Sequence, residues 1–195
     1  MARLPQFNPS KLNEAQAEIH HEIVCGPRGK FGGPFHALIQ APDIAGPAQA
    51  LGAALRFNTE LDPQHREIAI LTTARFWRNE VEWNAHVVIA LREGVSSECI
   101  EGILLDRMPA SLSAEQRLVY RFCRELLQNK SVADELYQRA EETIGIKQVV
   151  EMVSLLGYFG LLAMLLNTFE IEHDPLDGIP PLDLQLTAIA ESSKA

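Results

Sequence analysis

Residues 66–94 hold three side chains of the types that move protons: Glu67, Glu82 and His86. Glu82 and His86 stand four apart, so on a helix they share a face and meet. A carboxylate beside an imidazole orients it, fixes its tautomer and raises its basicity, which suits general acid–base work near neutral pH. Glu67 comes one helix earlier and reaches the same spot if the two helices pack antiparallel. Two carboxylates sharing a buried site with a histidine have their protonation equilibria pushed apart, which separates acid from base. Asn79 and Trp83 flank the same face.

These residues also have structural uses. Glu82 occupies the third position of a capping box, Glu67 can pair with Arg66 or Arg75, and His86 has Val87, Ile89 and Ala90 around it. As a metal site the trio has acceptable ligand types but no second histidine at ligand spacing, so no metal and no cofactor is expected. Of the cysteines, Cys25 falls in a loop, whereas Cys99 and Cys123 fall in helices as small core residues.

The elements that must position these groups read as helix after helix. A polar helix is expected over 10–22, then a Gly/Pro-rich loop over 25–34 that lacks the G-K-[ST] of a phosphate loop. Asp43 is the expected N-cap of a helix over 43–56. Asp62-Pro63 opens a strongly amphipathic helix over 63–78. Asn79 to Glu82 has the form of a capping box for a helix over 80–92, ended by Gly94. Ser96 caps a short helix to Leu105, and Ser113 to Gln116 opens another to Gln128. Residues 132–143 form one more, with Gly145 after it, and a long apolar helix covers 147–169. The segment EHDPLDGIPP reads as a loop. No stretch alternates with period two, so the fold class is all-α.

Sliding the chain by 51 residues superposes Leu61, Arg66, Val81 and Gly94 on Leu112, Arg117, Val132 and Gly145. The predicted helix boundaries coincide too, as in two similar helical units.

The chain has 195 residues and a net charge of −9. Its 47% apolar and 22% charged residues are a globular composition. The acidic balance offers no electrostatic footprint for nucleic acid. The 3 cysteines are widely spaced and form no C-x-x-C pair, which points to a reducing, cytoplasmic compartment. The first residues carry no apolar signal core. Met152 to Phe169 carries no charge, the length of a marginal membrane span. Its Ser154, Gly157, Gly160 and Asn167, and the lack of a basic flank, favour a buried helix in a homo-oligomer over a membrane segment.

Leu61, Pro63, Arg66, Glu67, Ala69, Ile70, Leu71, Ala74 and Arg75, followed by Glu82, Trp83, His86, Ala90 and Gly94, resemble the carboxymuconolactone decarboxylase family. That family is related to the AhpD-type alkyl hydroperoxidases. Residues 26–35, GPRGKFGGPF, and Pro42 to Ala45 resemble its longer members. The resemblance implies an AhpD-like helical fold assembled into trimers or hexamers. It divides the chain into an N-terminal helix and loop extension (1–34), a helical domain (35–175) and a C-terminal tail (176–195).

In the hydroperoxidase branch the cysteine pair falls on Asn79 and Glu82, the histidine on His86 and the relay glutamate on Glu67. Peroxide reduction needs a thiolate to attack and a second thiol to resolve the sulfenic acid. Neither Asn nor Glu supplies one, so the resemblance implies the decarboxylase branch and a small lactone or carboxylate as substrate. In that reading the loop around Arg28 and the apolar wall around Trp83, with Asn79, bind substrate. His86, oriented by Glu82, delivers the proton, and Glu67 tunes or relays it. His36 is a second proton donor or a substrate contact. The competing readings are a hydroperoxidase using Cys25 and a non-catalytic oligomeric binding protein on the same scaffold.

Overall fold

Most of the helices begin where the sequence supplies a side-chain acceptor for their free N–H groups, at Asn13, Asp62, Asn79, Ser96 and Ser113. The computed structural model describes residues 3–171 and Leu182, and among these residues every regular element is helical. A 3-10 turn, Pro9–Lys11, leads to α1 (Glu14–Cys25), where Asn13 and Gln16 close a capping box. The expected helix over 10–22 is thus split and shifted, because Asn8 and Asn13 each cap a separate start. A one-turn helix that the sequence reading lacked, α2 (Phe35–Leu38), follows the loop. In α3 (Pro42–Phe57) the cap position belongs to Ala41 and Asp43 lies in the first turn, because Pro42 takes the first helical position.

Next come α4 (Pro63–Phe76), capped by Asp62, and α5 (Glu80–Arg92), capped by Asn79. After them are α6 (Ser97–Leu104), α7 (Ala114–Asn129) and α8 (Asp134–Phe169). Gly145 interrupts α8 with φ 79° and ψ 154°, a left-handed φ that suits glycine. The starts of α4 and α7 and the left-handed glycines Gly94 and Gly145 keep the 51-residue spacing. The C-terminal tail, with the expected loop EHDPLDGIPP, lies outside the described residues apart from Leu182. The Leu182 side chain is buried in the core and its backbone N–H donates to Glu80.

α4 is the central helix, packed by α5, α6, α7 and α8. The expectation of a strongly amphipathic α4 is corrected here: every residue from Glu67 to Ala74 is buried. Its polar residues do not mark a solvated face. Thr72 and Thr73 donate their hydroxyls to the carbonyls of Ile68 and Ala69, at 2.6 and 2.9 Å. Such back-bonding satisfies a hydroxyl inside a core.

By length and composition α8 could cross a membrane, but 56% of its most apolar window is buried inside the fold, as in a core helix. Its outward side carries Ile146, Val150, Val153 and Met164, all exposed. Their spacings of four, three and eleven residues make one stripe.

Candidate active site

Asn79 sets the register of the site. Its side chain accepts from the Glu82 N–H at 2.9 Å, and its amide donates to Asn167 Oδ1 at 2.7 Å. Asn167 in turn donates to the Trp77 carbonyl at 2.9 Å, so the turn between α4 and α5 is tied to α8. Only this half of the capping box is present at α5, whereas both halves close at Ser113. The Glu82 carboxylate instead faces the histidine one turn on.

The three proton-moving groups meet. His86 Nδ1 lies 2.6 Å from Glu67 Oε2, and His86 Nε2 lies 3.6 Å from Glu82 Oε2. All three residues are buried. The group that holds the imidazole is therefore Glu67, across the α4–α5 contact, and not Glu82 on the same helix. The other oxygen of Glu67 is 3.4 Å from Arg66 Nε. Phe159 presents a ring at right angles to His86, with centroids 5.0 Å apart. Burial raises Glu82 above the ordinary carboxylate range, against the opposing pull of His86, Arg56 and Arg28.

Glu82 and His86 open onto a cavity of about 510 Å³. Its far wall is cationic, with Arg28 and Lys30 from the loop and Arg56 from the last turn of α3. Arg28 is held by the Phe35 ring, 4.8 Å from its guanidinium carbon, and by the Tyr158 oxygen, 3.3 Å from Nη2. Its Nε is buried and has no hydrogen-bond partner among the described residues. Burial, then the neighbouring Arg28, lower the Arg56 guanidinium, and Glu67 and Glu82 oppose that shift. Burial raises the Tyr158 phenol, so its hydroxyl stays protonated and can donate into the cavity. A buried carboxyl–imidazole pair facing two arginines is an arrangement that can anchor an anion and protonate it nearby.

Of the residues picked out from the sequence, Arg28, Glu82 and His86 line the cavity and Glu67 stands behind His86. Three do not line it. Trp83, 2% exposed, points into the core on the next side of α5. Asn79 is spent on capping and on Asn167. His36 packs against Phe7 and Phe31, with ring centroids 5.2 Å away in both cases, and burial lowers it. It supports Phe31, which is the residue that reaches the cavity.

Arg56, Tyr158 and Phe159 were missed. The one available signal was a tyrosine in an otherwise apolar helix, since a buried phenol needs a partner. Among the described residues no three His, Cys, Asp or Glu side chains are grouped to hold a metal ion. Cys99 and Cys123 are buried, Cys25 is exposed, and none lines the cavity. Burial pushes the Cys99 thiol up to about 11 and Cys123 up as well, which withholds the thiolate.

Comparison with known proteins agrees with this architecture. Residues 42–125 match the family model of the carboxymuconolactone decarboxylase family. No curated protein matches the sequence. A solved structure described as an alkylhydroperoxidase AhpD core, an uncharacterized peroxidase-related protein from Ralstonia eutropha JMP134, superposes with a TM-score of 0.72. It is 18% identical, and the match covers 90% of this chain and 93% of that one. At that identity the likeness speaks to the fold. The two helices carrying Glu67, Glu82 and His86 lie within the segment that matches the carboxymuconolactone decarboxylase family model, and the chain has an AhpD-like helical fold.

Proposed function

We propose that the protein is a cofactor-free carboxy-lyase acting on a small lactone or related carboxylate, of the 4-carboxymuconolactone type. The observation that carries this reading is His86, held by Glu67 at 2.6 Å and facing Glu82, on the wall of a cavity lined opposite by Arg28 and Arg56. The arginines and the Tyr158 hydroxyl anchor one anionic group of the substrate. The leaving carboxylate then sits toward the apolar side, by Phe159 and Leu162. Poor solvation there favours its loss. The bond from carbon to that carboxylate breaks, carbon dioxide leaves, and the electron pair stays on carbon. His86 delivers a proton to that carbon from Nε2. Glu82, whose proton burial holds more tightly, resupplies the proton and regains one from solvent. Glu67 remains the fixed anion that stabilises the imidazolium.

The test is carbon dioxide release from 4-carboxymuconolactone and a panel of small lactones and carboxylates. Wild-type protein turns over at least one, and His86→Ala, with an unchanged circular dichroism spectrum and oligomer mass, does not. An active H86A protein overturns the mechanism. The likeness to a structure described as an alkylhydroperoxidase AhpD core motivates a hydroperoxidase reading as the alternative. It requires a thiol, so alkylating the cysteines abolishes activity in that case and leaves it intact in the lyase. A binding-only scaffold is less well supported, because Glu82 and His86 share a ligand-sized cavity.

The apolar stripe of α8, with Val88 and Leu91 exposed on α5, supports a homo-oligomer, since patches of this kind mark association surfaces. Trimer or hexamer is the proposed state, and the cytoplasm the proposed location.

A further inference from the structure

A second pocket lies on the other side of α4, about 80 Å³ in volume, between α4, α6 and α7. The Tyr120 hydroxyl and Arg124 Nε line it, and both are buried without a hydrogen-bond partner among the described residues. Tyr120 is 1% exposed. Arg124 Nε is 2.9 Å from Asp106 Oδ1, close enough for an ion pair, but its N–H is not aimed along a hydrogen bond. A third donor-bearing side chain, Arg75, lines the same pocket, its Nε held by the Leu104 carbonyl at 2.8 Å.

A buried hydroxyl left unpaired is costly, and the Tyr120 hydroxyl shares this space with the guanidinium groups of Arg75 and Arg124. What suits a free hydroxyl donor beside two guanidinium groups is an anionic acceptor with more than one lone-pair oxygen. The charge balance agrees: two arginines against Asp106, with Lys130 outside, 4.9 Å from the Phe76 ring that forms part of the wall. Phe76, Ile103 and Leu127 give the lining an apolar part, and Thr72, whose hydroxyl is spent on the Ile68 carbonyl, and Gln128 complete it. Burial lifts the Tyr120 phenol to about 12, so it stays a donor at neutral pH.

We propose that this pocket binds a short-chain monocarboxylate, with its carboxylate on the Tyr120 hydroxyl and Arg124 and its chain against Phe76, Ile103 and Leu127. The site is separate from the cavity of Glu82 and His86, with which it shares no residue.

The 3 tyrosines of the chain give one reporter for each place. Tyr120 lines this pocket, Tyr158 lines the larger cavity, and Tyr137 is exposed on α8. Full-length protein labelled with 13C on its tyrosine rings is titrated with butyrate, with equal sodium chloride as reference. The expected result is a saturable shift of the Tyr120 resonances with Tyr137 unmoved, whatever Tyr158 does. In Tyr120→Phe, followed through the Ile103 δ-methyl, butyrate binds about tenfold or more weakly. In Arg124→Lys, followed through Tyr120, it is weakened as well. The proposal is overturned if Tyr120 does not move beyond the chloride reference, or if the Ile103 response is unchanged in Y120F.

Discussion

Gly52 lies on α3 where Arg28 and Tyr158 come closest to it. A Cβ built there falls 2.1 Å from Tyr158 Oη and 2.4 Å from Arg28 Nη2. Ordinary contact begins near 3.4 Å, so in Gly52→Ala each group retreats by about 1 Å. The phenol is the end of a rigid ring on a buried helix, and the guanidinium is pinned between that phenol and Phe35. Neither moves without changing the cationic wall of the cavity.

The stability effect is small because two terms oppose. Overpacking costs about 1–3 kcal/mol, and replacing a helical glycine by alanine returns about 1 kcal/mol. The net is about 0–2 kcal/mol, or a Tm lowered by at most about 8 °C for a chain of this size. A displacement of about 1 Å at a positioning group costs about 100-fold in rate. G52A is therefore expected to fold, melt a few degrees low, and lose about two orders of magnitude in kcat/KM. Gly157→Ala is the control. It adds a methyl to the outward side of α8 with nothing within 4 Å in the protomer, and should keep wild-type kcat/KM when sedimentation shows the same oligomer mass as wild type. The assays are calorimetry and turnover of whichever lactone the wild type accepts. A G52A enzyme with kcat/KM within about threefold of wild type would show that Arg28 and Tyr158 do not hold the substrate.

Glu67→Gln keeps an acceptor beside His86 Nδ1 but removes the charge, so kcat should fall about 100-fold or more with KM little changed; a pure KM effect contradicts the assigned role. Glu82 is raised in the folded protein, so the fold binds its proton more tightly than the unfolded chain, and the stability it contributes is whole below about pH 4 and lost as pH rises through its raised value. In Glu82→Gln that loss is absent, so the Tm difference between variant and wild type should grow in the variant's favour as pH rises above about 4, the ordinary carboxylate value; a flat difference refutes the assignment. The stripe of α8 predicts that sedimentation velocity finds a particle heavier than the 21.7 kDa protomer, and that Val153→Glu lowers that mass while leaving the helical spectrum intact.

How far the site was legible follows from which distances sequence spacing controls. Along one helix it controls them all: Asn79 capping α5, and Glu82 and His86 one turn apart, were readable because i and i+4 must meet. Across two consecutive helices it still constrains much, and Glu67 reaching His86 needed only that α4 and α5 pack antiparallel. Spacing cannot give the rotation of a distant helix about its axis. Within α5 the miss has another cause: Trp83, one residue from Glu82, lies about 100° around the helix, and it was read as cavity wall and is core. The amphipathic helix expected over 63–78 is instead buried from Glu67 to Ala74, with its threonine hydroxyls folded back onto its own carbonyls.

The far wall was least visible for the same reason. Arg56 ends α3 as an ordinary last-turn cation, and Tyr158 and Phe159 sit in a run that reads only as apolar. The rotation that turns these two into the cavity is fixed by Met152, Leu155 and Leu156 packing one turn before them, all buried. Yet the inward tyrosine carried a requirement that spacing does not express. A phenol in that run must find a polar partner, and the loop with the one arginine among its glycines, Arg28, supplies it at 3.3 Å. The clue to the substrate end of this site is thus a polar demand in the most apolar helix, answered by the least regular segment of the chain.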